Sequence, residues 1–444
     1  MTNQEQTPLK TFGDIYPDKT VGELTMFDRI IFKGYLSGLY PVKKQFEYYL
    51  GRQGVLMKEY KAYAEKCTEE LKAHLEKMGE EAGCPIQYLA NGSGKEGATK
   101  EEMARAAMEA REGETGLVAL YSCLELKNVL TVRGNRQTYQ LDAVSETRRH
   151  LHYYCYYNDV EFGLMYVRIQ SWWPFEIQIY INGHEWLARQ MTQQGVGYVQ
   201  ADNCFLSIDD VVAAQTLCEK FAHRQWERVW NNFARRLNPF LPTVEAVVKQ
   251  GYYWTIEQCE IATDVMFIDQ AVLDACLPDL FQEALLTFSA TDVMRFLGRK
   301  LQQNFQGKVE TRLNQRHPGW RIKHWVKQNS LKMYNKQSVL RVETTINNAA
   351  EFRIEAPASA SARWKPLPKG VGHCWHFFQA GLEANKRYLQ AVRDIPVQGK
   401  AAVTALDSLC QSHQVNGRTI AKFNPLSSDT CRLFAALLQG ELQL

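Results

Sequence analysis

The chain has 444 residues, of which 45% are hydrophobic and 23% are charged, and its formal net charge is +3. This length predicts roughly two to four domains, and no apolar run approaches the ~18 residues of a membrane span, so a membrane protein is not expected. The eleven cysteines occur singly, without a Cys-x-x-Cys pair, which argues against a zinc ribbon and indicates reduced thiols in a cytoplasmic protein.

Composition and hydrophobic pattern divide the chain into five segments. They are a flexible tail over 1–24, an N-terminal α/β domain over 25–145, a central aromatic-rich sheet with helices over 146–245, a basic α+β domain over 246–355, and a connector with a helical C-terminal region over 356–444. The tail is polar and lacks the apolar core of a secretory signal. The predicted fold class is α+β, with several domains, mixed or antiparallel sheets and packed helices. We find no internal repeat.

The N-terminal domain alternates strand and helix patterns. Strands are predicted over 28–39, 85–89 and 116–126, helices over 58–83 and 100–111, and a hairpin over 128–141 that turns at Gly134-Asn135. The strand over 116–126 is nearly continuous in apolar character, which predicts a central place in its sheet. The Gly-rich loop over 90–98 lacks the spacing of a phosphate-binding P-loop. We interpret it as a turn, and a small-molecule enzyme built on this loop is a weaker alternative.

The central segment is predicted to form a second sheet followed by helices. Its strands are predicted over 150–157, 163–170 and 175–181, and its helices over 185–193 and 209–237. His150 and His152 are two positions apart on one strand, so they share a face and can bind one metal ion. Two such histidines are more often structural, and a third ligand is needed.

A third group of strands and helices follows a boundary near Pro239 and Pro242. Strands are predicted over 252–267, 321–326, 330–334 and 339–346, helices over 273–287 and 291–304, and further helix over much of 374–444.

This third group carries most of the positive charge. From Arg295 to Arg341 there are twelve Lys and Arg residues against one carboxylate, Glu310, so the segment is +11 and the rest of the chain is −8. Such density favours a polyphosphate partner, DNA or RNA, over a solvated basic face. The predicted contacts are Arg295, Arg299, Lys300, Arg321, Lys323, Trp325, Lys327, Lys332, Lys336 and Arg341. Arg295 and Arg299 are expected to form one edge of a helix.

A candidate catalytic group lies on the same strands. Lys332 and Lys336 flank Tyr334 on one strand face, so a stabilised phenolate can attack a phosphodiester. Glu343 on the next strand and Asp264 at a strand end are candidate ligands for Mg²⁺ or Mn²⁺, with His150 and His152 as further metal candidates. A cross-strand ladder of salt bridges is the alternative.

Three short motifs resemble plasmid and filamentous-phage rolling-circle replication initiators. They are the carboxylate-bearing strand Glu260–Asp264, the pair Tyr334-x-Lys336 and the pair Arg341-x-Glu343. The resemblance covers roughly a fifth of the chain. It implies metal-dependent nicking of DNA through a phosphotyrosine, as in the replication of a mobile element.

A longer stretch, from Met26 to about Asn424, is similar to a widespread family of uncharacterised bacterial proteins. The similar phrases are INGHEWLARQ (181–190), ATDVMF (262–267), DVMRFLGRK (292–300) and KMYNKQSVLRVETTIN (332–347). Members are often labelled hypothetical or MarR-type, after a winged helix that we expect to continue past Leu444. This resemblance implies nucleic-acid binding without a known reaction.

The sequence therefore predicts a cytoplasmic nucleic-acid-binding protein that uses a divalent metal to cleave strands. The alternative is a DNA- or RNA-binding scaffold or regulator without catalysis, in which the same carboxylates are salt-bridge partners. The sequence leaves the oligomeric state open.

Overall fold

A computed structural model describes residues 17–39, 43–90, 94, 97–299, 307–316, 319–355, 364–409, 413–415 and 418–420. The ten helices of this part are α1 Lys43–Arg52, α2 Tyr60–Glu81, α3 Lys100–Glu109, α4 Gly183–Gln194, α5 Val211–Ala222, α6 Trp226–Leu237, α7 Leu241–Val248, α8 Gln270–Thr287, α9 Ala290–Phe296 and α10 Cys374–Leu409. Much of the predicted tail and of the loop over 90–98 lies outside the described residues.

Within the described residues, the strands comprise one large sheet and three small two-stranded sheets. They are β1 Thr20–Tyr35, β2 Gln87–Tyr88, β3 Gly116–Gly134, β4 Leu141–Asp159, β5 Gly163–Gln170, β6 Ile177–Asn182, β7 Tyr198–Ala201, β8 Cys204–Ile208, β9 Tyr253–Phe267, β10 Val309–Arg316, β11 Gly319–Val326, β12 Asn329–Lys336, β13 Val339–Ile346, β14 Arg353–Glu355, β15 Trp364–Pro366, β16 His413–Val415 and β17 Arg418–Ile420. The α+β class is confirmed.

The large sheet has eleven strands in the order β10-β11-β12-β13-β9-β1-β6-β5-β4-β3-β2. Every neighbouring pair is antiparallel except β2 and β3, which are parallel. The separate second and third sheets that the sequence suggested are therefore parts of this one sheet. The prediction that β3 is central is wrong, since only the two-residue strand β2 lies outside it. Its apolar run arises because both of its faces are buried, one in the main core and one against α3.

The strand order repeats about the centre of the sheet. Outward from β1 come β6, β5, β4 and β3, and outward from its antiparallel neighbour β9 come β13, β12, β11 and β10. Each half thus consists of one long strand and a four-stranded meander that returns to it. The sequence showed no repeat, because this similarity lies in the connections and not in the residues.

One face of the sheet carries the main core. Phe27 packs against Phe221 of α5 and Phe378 of α10, with ring centroids 5.7 and 5.6 Å apart. Phe32 of the same strand packs against Trp226 and Trp230 of α6. These are large apolar side chains, each removing roughly 150–250 Å² from water, so this layer dominates the burial that holds the sheet to its helices.

The second face is covered only in part. On β4, Tyr153 and Cys155 belong to the main core, whereas the alternate residues Tyr154 and Tyr156 pack in a smaller cluster with Ala104 of α3. Strand alternation places these two pairs on opposite faces. On β11, Ile322, His324 and Val326 are buried, and their alternate neighbours Arg321, Lys323 and Trp325 are half-buried. The second face is therefore more open towards β10, β11 and β12, and we call the second face the open face from here on.

Local sequence signals set the helix that reaches this face. Asn182 is the N-cap of α4, and its side chain accepts hydrogen bonds from the backbone N–H groups of His184 and Glu185. Gly195 ends the helix with φ of 70°, a left-handed conformation that glycine adopts at little cost. The predicted helix over 185–193 is confirmed, and its first turn lies at the end of β6 beside the centre of the sheet. No helix in the described part of the chain is both long and apolar enough to cross a membrane.

Candidate functional site: a buried charge cluster on the open face

A bulge in β1 begins the site. Phe27 is opposite Ile261 and Arg29 is opposite Glu260, so Asp28 is an additional residue between two paired positions. Bulges of this kind bend a strand and redirect a side chain. The Asp28 carboxylate is buried, and its Oδ1 lies 2.9 Å from Nδ1 of His184. Burial raises the pKa of Asp28, but His184, Arg341 and Arg29 together lower it by more, so the pKa lies below its ordinary value.

The floor of the site is an ion pair between β13 and β9. Arg341 is opposite Asp264 and donates from Nε to Oδ1 at 2.6 Å and from Nη2 to Oδ2 at 2.7 Å. Nη2 also lies 2.7 Å from the carbonyl oxygen of Asn203 and 2.9 Å from Nε2 of His184. A guanidinium has only donors, so Nε2 is the acceptor and the ring proton is on Nδ1, facing Asp28.

A second set of ion pairs lies two residues along the same face. Lys332 is opposite Glu343, donates to its Oε1, and lies 3.3 Å from Oε1 of Glu260. Arg29 approaches Oε2 of Glu260 at 2.6 Å, and the hydroxyl of Tyr334 donates to Oε2 of Glu343 at 2.9 Å. We call the eight side chains of these two sets the charge cluster: Asp28, Arg29, His184, Glu260, Asp264, Lys332, Arg341 and Glu343.

Glu343 is a carboxyl of this cluster whose pKa is raised, whereas the pKa values of Asp28 and Asp264 are lowered. Its side chain is 1% exposed. Burial raises its pKa, the ammonium of Lys332 lowers it, and the nearby Asp28 and Glu260 carboxylates raise it again, to about 7. A carboxyl group with this pKa can accept or release a proton near neutral pH.

Three carboxylates of the charge cluster form a candidate metal site. Asp28, Glu260 and Glu343 each offer an oxygen within 4.8 Å of the others, and the described residues contain no other such group of three ligands. Oxygen ligands of this kind suit Mg²⁺ or Mn²⁺. The ammonium of Lys332 already bridges Glu260 and Glu343, and Arg29 pairs with Glu260. A metal ion therefore fits by ligand chemistry, and it competes with these cations.

A cavity of about 280 Å³ opens onto the cluster. Trp320, Arg321, Asn335 and Lys336 form its rim, with Asp28, Lys332 and Glu343 among the deeper residues. The indole of Trp320 is 46% exposed. The cavity thus joins an aromatic and cationic rim to a floor of paired charges.

The structure changes the roles predicted for Tyr334 and Asp264. Burial and the carboxylate of Glu343 raise the pKa of Tyr334 well above its ordinary value, although Arg341 lowers it; the expected stabilised phenolate is therefore wrong. Lys332 and Lys336, which were expected to stabilise it, contact Glu343 and the pair Asp202 and Asn203 instead.

Asp264 does not join Glu343 as a metal ligand. Both of its oxygens accept from Arg341, and its side chain is fully buried. It lies within β9, and the strand continues to Phe267, so it does not reach a cleft from a strand end as predicted. Asp28 and Glu260 take its place beside Glu343.

His150 and His152 lie far from this group. They are on β4, and β1, β6 and β5 separate that strand from β9, a span of about 19 Å at the usual strand spacing. The ring of His150 packs against Trp172 in a tilted arrangement, with centroids 4.9 Å apart, and burial, aided by Arg168, lowers the pKa of His152 to about 4. Among the described residues these histidines have no third metal ligand, so the structure does not supply the further ligand that a metal site at His150 and His152 requires.

The predicted nucleic-acid contacts do not share one surface. Arg299 and Lys327 both pair with Glu351, and Arg299 borders a different cavity. Helix α9 ends at Phe296, before Gly298 with φ of 71°, so Arg295 and Arg299 do not form one helical edge. Lys300 lies outside the described residues.

Arg295 is on α9 and pairs with Asp292, whereas the predicted contacts on β11, β12 and β13 do share the open face. Arg321 is opposite Tyr334, Lys323 is opposite Lys332, and Tyr334 is opposite Arg341, so strand pairing aligns them across β11, β12 and β13. Lys332 and Arg341 are buried within the charge cluster, whereas Arg321, Lys323 and Trp325 remain half-buried at its side. Lys336 lies at the cavity rim.

Asp28, Arg29 and His184 were not predicted from the sequence, and Glu260 entered only as part of the carboxylate-bearing strand of the short motifs. The signal for Asp28 and Arg29 was a charged pair inside an apolar strand. His184 gave no separate signal, because its position depends on where α4 begins.

Comparisons with known proteins do not assign the chain to a family. A scan against protein-family models, a search of curated proteins and a search of solved structures each found no match to the chain. The two resemblances described from short motifs therefore stay predictions, and the function must be argued from the site.

Proposed function

We propose that the protein binds nucleic acid on the open face of its sheet, at the edge formed by β10, β11 and β12. The supporting observation is a group of cations interleaved with indole rings. The ammonium of Lys323 lies 4.5 Å from the ring centroid of Trp325, and the guanidinium of Arg312 lies 5.3 Å from it. Trp320, at the rim of the adjoining cavity, is exposed enough to stack on a base.

The charge balance on this edge supports an anionic ligand. Burial lowers the pKa of Lys323, and the positive charges of Lys332 and Arg321 lower it further, more than Glu260 and Glu343 raise it. Lys323 therefore lies beside two other cations, Lys332 opposite it and Arg321 on the same strand face. A phosphate placed against it gains Coulombic energy from several cations at once.

The charge cluster supports binding without catalysis as the leading interpretation. Glu343 is buried and paired with Lys332, and Asp264 is buried and paired with Arg341. In this arrangement the carboxylates fix the positions of cations that border the open face. This is the scaffold or regulator alternative that the sequence left open.

Direct binding measurements test this proposal. Fluorescence anisotropy with labelled single-stranded and duplex DNA and RNA should show binding that weakens as salt rises. Lys323→Glu and Trp325→Ala should each weaken it by about tenfold. Lys44→Glu is the matched control, because Lys44 is exposed on α1, away from this edge. Equal loss in the control and in Lys323→Glu would overturn the proposal.

Metal-dependent strand cleavage is a second candidate function, favoured by the meeting of Asp28, Glu260 and Glu343. These residues would hold Mg²⁺ or Mn²⁺, and the metal would supply Lewis-acid activation of a phosphodiester. Arg29 and Arg321 line the cavity where the phosphate would be held.

Cleavage is tested by incubating labelled DNA and RNA with the protein and Mn²⁺, with and without EDTA. Products that require metal and disappear in Glu260→Gln, while nucleic-acid binding is kept, would support catalysis. Binding without any metal-dependent product would rule out cleavage, and only the non-catalytic binding function would remain.

A further inference from the structure

A two-stranded ribbon extends from the edge of the large sheet. Strands β3 and β4 have nineteen residues each, but β5 pairs with β4 only over His152–Asp159, and β2 pairs with β3 only over Gln87–Tyr88 against Tyr121–Ser122. From Glu125↔His150 to Gly134↔Leu141 the two strands pair with each other alone among the described strands. We call residues 125–150 the ribbon.

The ribbon is held in place by contacts at its middle. The carbonyl oxygen of Leu130 accepts hydrogen bonds from the hydroxyl of Tyr60 at 3.2 Å and from Nε1 of Trp172 at 2.7 Å. Val129 and Leu130 are buried in the main core. The ten residue pairs span on the order of 30 Å, and the ribbon keeps one direction because its middle is anchored to α2.

The ribbon is basic and lacks enough acids to neutralise itself. The ribbon contains five cations and three carboxylates, Glu125, Asp142 and Glu146, a net charge of +2. Glu146 takes two of the cations, Arg133 and Arg148. The other three cations, Lys127, Arg136 and Arg149, have exposed side chains.

Two cations of the ribbon also face each other directly. Lys127 is opposite Arg148 in the strand register, where like charges destabilise a ribbon. Glu146 offsets part of this repulsion by pairing with Arg148, but it is shared with Arg133. At the turn, the side chain of Tyr139 is 94% exposed. An aromatic ring at the end of a basic ribbon is suited to contact sugars and bases.

We propose that the ribbon binds a nucleic-acid duplex, so that the ligand of this protein contains both a duplex segment and an unpaired segment. This inference rests on the proposed nucleic-acid function and names the class of ligand. The major groove of B-form DNA is about 12 Å wide and admits a two-stranded β-ribbon. The ribbon length is close to one helical turn of about 34 Å, and its charge is complementary to phosphates along that turn.

The two binding surfaces then divide the ligand between them. The edge formed by β10, β11 and β12 offers the indole of Trp325 to unpaired bases, which have free faces for stacking, and Trp320 lines the cavity beside it. The ribbon lies beyond the opposite end of the sheet order, where it meets the duplex. A stem with a single-stranded extension satisfies both surfaces.

The experiment compares three labelled DNA ligands of matched length by anisotropy: a single strand, a blunt duplex, and a duplex with a single-stranded tail. Two ribbon variants are used, the double variant Lys127→Glu with Arg149→Glu, and the turn variant Arg136→Ser with Tyr139→Ser. Lys127→Glu places a carboxylate opposite Arg148, so this variant keeps the ribbon folded. Circular dichroism of each variant checks the fold.

We expect both ribbon variants to weaken binding of the blunt and tailed duplexes by at least about tenfold, with single-strand affinity unchanged. Unchanged duplex affinity in the ribbon variants, with loss of single-strand binding in Lys323→Glu, overturns this inference and leaves the proposed function standing. Loss of duplex affinity in the ribbon variants, with no effect of Lys323→Glu on single strands, overturns the proposed function instead. Absence of binding to every ligand overturns both.

Discussion

Arg341 and Asp264 face each other across β13 and β9, joined by two hydrogen bonds of 2.6 and 2.7 Å, with both side chains fully buried. The same guanidinium also contacts Asn203 of the β7–β8 turn and His184 of α4. This single pair therefore ties the central strands to the two elements that cover the second face beside them. Removing the Arg341–Asp264 pair is therefore expected to lower the stability of the fold.

Replacing Arg341 by Met should destabilise the protein strongly. The change leaves the Asp264 carboxylate buried without a counter-ion, which costs about 3–5 kcal/mol. Urea unfolding followed by tryptophan fluorescence measures this as a lower midpoint. The double variant Arg341→Met with Asp264→Leu should recover part of the loss, because no uncompensated charge remains. A single variant as stable as the unchanged protein would contradict the structural role given to the pair.

The raised pKa of Glu343 predicts that the stability of the protein depends on pH. Its pKa is raised by burial to about 7 in the folded chain, from 4.5, so the folded state holds a proton that the unfolded chain releases. The contribution of the protonated Glu343 carboxyl to the free energy of unfolding is fully present below pH 4.5 and is lost as pH rises through about 7. Glu343→Gln cannot ionise, so its stability relative to the unchanged protein should rise between about pH 5 and 8, by up to about 3 kcal/mol. Parallel pH profiles for the two proteins would refute the shift.

Gly183 is the first residue of α4, and a side chain at this position is expected to lower the stability of the protein. A Cβ atom on Gly183 would overlap the carbonyl oxygen of Phe27, so Gly183→Ala must displace the first turn of α4 and with it His184. We expect a clear loss of stability by chemical unfolding. Gly51→Ala is the control, since nothing lies within 4 Å of its Cβ position in α1. It should stabilise by about 0.4–1 kcal/mol. Equal effects at the two positions would show that Gly183 is not constrained.

The salt dependence of binding separates the roles of Lys323 and Trp320. A lysine that contacts a phosphate contributes about one unit to the slope of log affinity against log salt, so Lys323→Glu should flatten that slope. A tryptophan that stacks on a base releases no counter-ion, so if Trp320 has the proposed role, Trp320→Ala should weaken binding with the slope unchanged. Titrations at several salt concentrations measure both quantities. A slope that falls equally in the two variants would assign Trp320 an electrostatic role.

Local patterns were sufficient for most elements. The helices predicted over 58–83 and 100–111 and the strand over 252–267 are confirmed as α2, α3 and β9, because hydrophobic period and capping residues act over a few neighbouring positions. Period-two alternation also placed Lys332, Tyr334 and Lys336 on one strand face. The strand β10 was missed, since charged residues interrupt its apolar alternation.

The sequence by itself determined the α+β class, the positions of most helices and strands, and the concentration of positive charge between Arg295 and Arg341. Only the tertiary structure decided that the strands form one sheet, that a bulge turns Asp28 towards Glu260 and Glu343, and that His184 meets Arg341. The reason is the range of the forces. Periodicity and capping depend on residues within a few positions, whereas the pairing of Arg29 with Glu260 joins residues far apart in the chain, and only the packing of the whole sheet selects it.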